Sequence, residues 1–187
     1  MLDTLEHDRQ RGRHSVAILT EDMCAVIEAA HLAFVATVTP DGMPNLSPKG
    51  TLRWWDDSRL FFLDIASPRT RANIERNPHV EINVVDQLSR RGYRFFGVAT
   101  LHGEGSDVYV EAMRRVFPDG VITYPVARVV LVSVERAEAF YSPAYARIES
   151  EAEMRDNWRE RRRKLDAAFD AHCVAAPFQP PRDDRRA

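Results

Sequence analysis

The chain has 187 residues, 44% of them hydrophobic and 29% charged, with a formal net charge of −2. That length suits one domain with short additions, and the apolar fraction excludes wholesale disorder. The near-neutral total gives no global basic field for a nucleic acid to follow. Among the 26 cationic residues only Lys49 and Lys164 are lysine. At those two positions a compact ammonium replaces a planar guanidinium, and the two cations do different chemistry.

Residues 1–14 mix acids and arginines without an apolar run, so they read as a flexible arm and not as a secretory signal. No stretch approaches the ~20 consecutive apolar residues of a membrane span. Cys24 and Cys173 form no C-x-x-C pair and read as reduced thiols, which points to the cytoplasm. The histidines include no H-x-x-x-H pair, so no metal site is expected; His31, His79 and His102 read as ordinary polar residues.

Thr20 suits an N-cap, and Met23, Val26, Ile27 and Ala30 follow it on one helical face. Ala33 to Thr39 reads as a strand, and Asp41-Gly42 as the turn of a hairpin. The chain returns as a second, longer strand from Met43 to Trp54, and a third runs from Leu60 to Ile65. Ser67 followed by Pro68 opens a helix that Asn77-Pro78 closes. Val80 to Val84 alternates as a half-exposed strand, Tyr93 to Leu101 is another, and Val108 to Phe117 is a helix. A buried strand begins at Ala127 and continues past a bend near Val134 to Tyr141. Short strands joined by hairpins and short helices predict an antiparallel barrel, mainly β, with six strands. The barrel domain spans 15–148, a charged amphipathic helix 149–176 and a disordered, proline-rich tail 177–187. Met154, Trp158, Leu165, Phe169 and Cys173 form the helix's apolar stripe, expected to dock across a dimer.

Two features depart from ordinary barrel patterning. Pro44 and Pro48 lie an even number of residues apart, so both missing N–H donors fall on one side of the second strand, leaving a free edge. Lys49-Gly50-Thr51 follows at once: a point charge, a bare backbone and a hydroxyl, suited to a planar polar ligand. Ser67-Pro68-Arg69-Thr70-Arg71 then sets two arginines and two hydroxyls at a helix N-terminus, where an anion is favoured. The plainer reading of that cluster is an N-capped surface helix with solvated arginines.

Taken together, N-x-S-P-K-G-T, a hydrophobic strand ending in Asp64, S-x-R-T-R and a helix closing at Asn77-Pro78 resemble the FMN-binding split β-barrel family of pyridoxamine 5′-phosphate oxidases. The resemblance runs from about Thr20 to Tyr141. It implies a Greek-key split barrel and a homodimer with FMN, or a deazaflavin, in grooves between the subunits. By position it sets Asn45, Ser47, Lys49, Gly50 and Thr51 along the flavin ring and ribityl chain, with Phe62, Leu63 and Asp64 as the opposite wall. Arg69 and Thr70 would hold the phosphate together with Arg71, and Arg91 would reach the flavin from the second subunit. Thr70 and Gly92 depart from the oxidase pattern, and no Arg-x-His element follows Val134, so the resemblance implies flavin binding more strongly than vitamin B6 chemistry.

The reading is therefore an FMN-dependent oxidoreductase of a small molecule, with NAD(P)H as a candidate electron donor and Lys49 stabilising the reduced flavin. The alternative on the same fold is a non-catalytic flavin or haem binder. The alternative reading of Lys49 and Asp64 is a cross-strand ion pair, and of Trp54 and Trp55 only one is free to cover a ligand, since adjacent strand residues face opposite ways. The cations Arg159 to Lys164 alternate with acids, which favours a solvated helix face over a nucleic-acid site.

Overall fold

A computed structural model describes residues 17–122 and 124–172 of the chain, with no side-chain account for 169–172. The proposed arm and tail, and Cys173, lie outside the described residues. The chain divides after Ser142 into two units.

The first unit holds three helices, α1 (Glu21–Ala30), α2 (Pro68–Arg76) and α3 (Asp107–Val116). Its strands are β1 (Ala33–Val38), β2 (Pro44–Lys49), β3 (Arg53–Trp54), β4 (Arg59–Asp64), β5 (His79–Asp86), β6 (Arg91–His102) and β7 (Arg128–Tyr141). They form one antiparallel sheet in the order β2-β1-β5-β6-β7-β4-β3. Thr20 caps α1 as expected, its hydroxyl accepting from Met23 N at 3.3 Å.

The sequence pattern predicts six strands and the described residues form seven, because the long second strand breaks at Gly50-Thr51. Its two parts, β2 and β3, lie at opposite edges of the sheet. Lys49 and Arg53 are only four residues apart, a reach of at most about 14 Å. Six spacings of about 4.8 Å would hold the edges of a flat sheet about 29 Å apart. The sheet must therefore curl until its edges approach each other. The result is a mainly-β split barrel with flanking helices, and the break that closes it falls at Gly50.

The barrel interior holds Val35, Leu60, Phe62, Ile82, Phe95 and Val132, with Val26 and Ile27 of α1 packed in the same cluster. Strand β4 is buried on both faces: Phe61 and Leu63 belong to a second cluster with Ala112 of α3. The bend near Val134 is a bulge, where the β6–β7 register shifts between Phe96 and Gly97. Gly97 permits it, since a Cβ there would collide with the Ser133 carbonyl.

The second unit has a short 3₁₀ turn, Pro143–Ala146, followed by α4 (Glu151–His172). Its basic run is interleaved with acids as the pattern predicts: Arg159 pairs with Asp156, Arg162 with Asp166, and Lys164 with Glu160. Leu165, placed on the apolar stripe by spacing, is exposed.

Candidate functional site

Strand alternation sorts β2 into two faces. Asn45, Ser47 and Lys49 point one way, opposite Thr37, Val35 and Ala33 of β1, while Pro44, Leu46 and Pro48 are exposed on the other. β2 is an edge strand, as its prolines require. Asn45 Nδ2 donates to the Thr37 hydroxyl at 3.0 Å and to the Thr70 hydroxyl at 3.2 Å. Asn73 Nδ2 also donates to Thr37, at 3.0 Å. This network fixes α2 against the β1–β2 hairpin and brings the two sequence clusters together.

Lys49 is only 6% exposed. Its Nζ donates to Ser47 Oγ at 2.7 Å and stands 5.6 Å from the centre of the Phe62 ring. No carboxylate among the described residues lies within ion-pair distance of it. Burial pushes the Lys49 ammonium below its ordinary pKa, and the charge of Asp64 opposes that shift without cancelling it.

A groove of about 470 Å³ opens beside this cation, lined by Ser47, Pro48, Lys49, Gly50, Thr51 and Leu63. The Thr51 hydroxyl accepts from Leu63 N at 3.0 Å, which ties the β2–β3 break to β4. At Gly50 a Cβ would meet only the His31 carbonyl, at 3.8 Å, so the chain's own packing does not demand a glycine there. Three further residues, Ile65, Ala66 and Tyr124, line the same groove and were not legible beforehand. Ile65 and Ala66 read as the plain end of a strand. Tyr124 comes from the loop after α3, and only its sequence neighbours Val121 and Ile122, likewise exposed, hint at an unpacked apolar segment.

Other predicted site residues are otherwise engaged. Phe62 lies in the barrel core, on the opposite side of β4 from Leu63. Asp64 and Lys49 are not cross-strand partners, because β4 pairs with β3 and β7 and β2 pairs with β1. The 2%-exposed Asp64 instead accepts from Ser67 N and Ser67 Oγ, at 3.1 and 2.7 Å, and pairs with Arg71 at 2.8 Å. Thr70 is buried. Arg69 is exposed at the first turn of α2, and Arg91 is held by Asp22 of α1 at 2.7 Å, away from the groove-lining residues. Of the tryptophans, Trp55 packs edge-on against Phe61, while Trp54 is exposed and donates to Glu28 at 3.0 Å.

Gly92, a departure from the oxidase pattern, is required by this chain's packing. A Cβ there would collide with the Val84 carbonyl and come within 2.8 Å of Phe140. Among the described residues no group of His, Cys, Asp and Glu is placed to hold a metal ion, and no helix is long and apolar enough to cross a membrane.

The family model of pyridoxamine 5′-phosphate oxidase matches residues 19–132, from just before α1 into β7. The chain belongs to this family. HupZ of Group A Streptococcus, a solved structure, is 36% identical, covering 67% of this chain and 96% of its own with a TM-score of 0.59. Two more distant structures share the family's barrel. An FMN-binding protein of Syntrophomonas wolfei is 11% identical over 65% of this chain and 90% of its own, TM-score 0.52. The heme storage protein HutZ of Vibrio cholerae is 17% identical over 66% and 94%, TM-score 0.52. No curated protein matches the chain.

Proposed function

We propose that this pyridoxamine 5′-phosphate oxidase relative is a flavin-dependent oxidoreductase acting on a small molecule, with FMN as the flavin. The observation that carries the reading is Lys49: a buried ammonium, unpaired by any carboxylate of the described residues, at the wall of an open groove. A protein that buries a cation this way gains most when an electron-rich ligand group completes its solvation. The groove's chemistry fits a flavin. Lys49 would sit against a polar ring edge, the Gly50 backbone allows close approach, and the exposed Arg69 is available to an anion. Bound flavin would supply two-electron redox chemistry. Lys49 would favour the anionic reduced form by its charge alone, and Leu63, Ile65 and Tyr124 would exclude water from one side.

Two copies of the chain would complete the groove. The outer face of the β1–β2 hairpin supports a homodimer: Phe34, Val38 and Leu46 are exposed together, with Pro44 and Pro48 between them. The likeness of fold to a heme storage protein favours one second reading, a non-catalytic carrier. Against it, no histidine lines the groove among the described residues.

The test is absorbance and turnover of the purified protein. A flavin spectrum lost on denaturation, with NAD(P)H consumption by the FMN-loaded protein, is the expected result. Flavin binding without turnover under any donor would favour the carrier. Failure of FMN to bind at all would overturn the flavin reading.

A further inference from the structure

We propose that the arginine cleft between β3 and α3 binds the 2′-phosphate of a nicotinamide dinucleotide, so that this chain takes NADPH rather than NADH as its electron donor. The inference rests on the flavin reading of the neighbouring groove and names the reductant of that same site.

The cleft holds about 390 Å³ and is lined by Arg53, Trp54, Trp55, Glu111, Arg114 and Arg115. Three guanidiniums therefore surround one carboxylate. Arg114 donates to both Glu111 oxygens, at 2.8 and 2.9 Å, and Arg115 Nε donates to one of them at 2.7 Å. These bonds, those of Arg114 first, pull the Glu111 carboxyl down to about 2. Near neutral pH it is ionised, a single charge set against two. Arg115 Nη1 also donates to the Trp55 carbonyl at 2.9 Å, and its guanidinium lies 4.5 Å from the Trp55 ring centre. Pairing along the helix accounts for Arg114 and Arg115, but not for Arg53 on β3. Its Nη1 donates only to the adjacent Leu52 carbonyl, at 2.8 Å, and it meets no acid among the described residues. Arg53 Nη2, Arg114 Nη1 and Arg115 Nη2 likewise have no partner there. Converging guanidinium donors of this kind match the oxygens of a phosphate dianion.

The cleft and the flavin groove open on one face of the sheet. Leu52 belongs to the barrel interior, so Thr51 and Arg53 on either side of it face outward. Thr51 lines the groove and Arg53 lines the cleft, at most about 7 Å apart along the chain. Arg53 stands opposite Phe61 in the β3–β4 register. Trp55 of the cleft packs in one cluster with Leu63 and Ile65 of the groove, against Ala112 of α3. A dinucleotide whose nicotinamide lies against the flavin extends beyond the groove. Arginine is the residue by which dinucleotide sites accommodate a 2′-phosphate. NADH, with a hydroxyl at that position, leaves the surplus charge of the cleft unanswered.

The experiment titrates the purified protein, before and after loading with FMN, with adenosine 2′,5′-bisphosphate and with 5′-AMP, reading binding by calorimetry. Wild type is compared with the double variant Arg53→Gln/Arg114→Gln and with Arg162→Gln, which removes an exposed α4 arginine paired to Asp166. Arg115 stays in place because it ties α3 to Trp55, and a thermal melt checks the fold. In wild type the bisphosphate is expected to bind at least ~10-fold tighter than 5′-AMP, the gain of one charge-assisted contact or more. The double variant should bring the two within ~3-fold, while Arg162→Gln keeps the wild-type ratio. In turnover of the FMN-loaded protein, the double variant should raise the NADPH KM ~10-fold and leave kcat and the NADH constants within ~2-fold.

A wild-type difference between the two nucleotides below ~10-fold would overturn the proposal and leave the flavin reading intact. So would a preference that survives the double variant, or one lost equally in Arg162→Gln. NADH used as well as NADPH by the FMN-loaded protein would overturn it too. If FMN does not bind, or neither dinucleotide is oxidised, the flavin-dependent reading itself falls, and the donor role falls with it whatever the bisphosphate result.

Discussion

Replacing Lys49 by methionine separates stability from binding, because the two should move in opposite directions. Methionine keeps the reach of the side chain and its packing near Phe62 while removing the charge. Taking an ammonium out of water carries an effective penalty of several kcal/mol. Two contacts oppose it here. The bond to Ser47 returns about 1.5–3 kcal/mol as a hydrogen bond to a charged group, and the Phe62 ring returns about 0.5–2 kcal/mol. The direction of the Lys49 shift says that desolvation wins over the pull of Asp64.

Lys49→Met should therefore stabilise the ligand-free protein by about 1 kcal/mol, or roughly 2–4 °C in melting temperature for a chain of this size. The sign with pH follows from linkage. A lysine whose folded pKa is depressed penalises folding fully at lower pH, and the penalty is relieved as pH rises through the folded value toward the ordinary 10.5. The variant's advantage should then be constant near neutrality and shrink in strong alkali. FMN affinity should fall about tenfold, since the groove loses the one buried cation among the described residues. Thermal melts with and without FMN read both effects. A ligand-free variant melting more than about 4 °C below wild type, or an FMN-induced shift unchanged by the substitution, would refute the reasoning.

Gly92→Ala should destabilise the barrel by about 3 kcal/mol or more, because the new Cβ meets the Val84 backbone, which cannot yield without moving β5. Gly50→Ala is the contrast, expected within about 1 kcal/mol of wild type in urea unfolding of the ligand-free protein. Asp22→Asn should cost no more than about 1 kcal/mol, since the pair it makes with Arg91 is only partly buried and Asp22 is open to solvent. Hydrogen bonds from Arg91 and then Tyr93 hold the Asp22 carboxyl below its ordinary 3.8. Its contribution is thus complete above that value and lost as pH falls through the folded one, so the two proteins should converge in stability in strong acid. Thr20→Ala removes the α1 cap and should lower stability by about 1 kcal/mol, with Thr20→Ser restoring most of it in the same urea titration.

Local chemistry alone was enough for most of the elements. Thr20, the Asp41-Gly42 turn, Pro68 at a helix start and Asn77-Pro78 at its end act through bonds within a few residues, so their meaning does not depend on the rest of the fold. The prolines at 44 and 48 likewise declared β2 an edge, because a missing donor is a property of the residue itself. The choice between Trp54 and Trp55 was legible only as a choice: alternation requires opposite faces, but which face is core depends on α3.

The site divides the same way. Spacing placed Asn45, Ser47 and Lys49 on one face and marked Ser67 to Arg71 as a helix N-terminus. It could not show that the second strand breaks at Gly50, because nothing local decides whether a run of strand residues stays with one partner or crosses to the far edge of a curled sheet. Partner choice among charges is equally non-local. The charge of Asp64 is felt at Lys49, yet the turn from β4 into α2 gives its carboxylate to Ser67 and Arg71. Residue types determined by themselves that this chain would make an edge strand with a lysine and an anion-favouring turn. The tertiary structure decided that the lysine stays unpaired and the turn meets its own carboxylate, because burial and distance, unlike propensity, exist only once the sheet has closed.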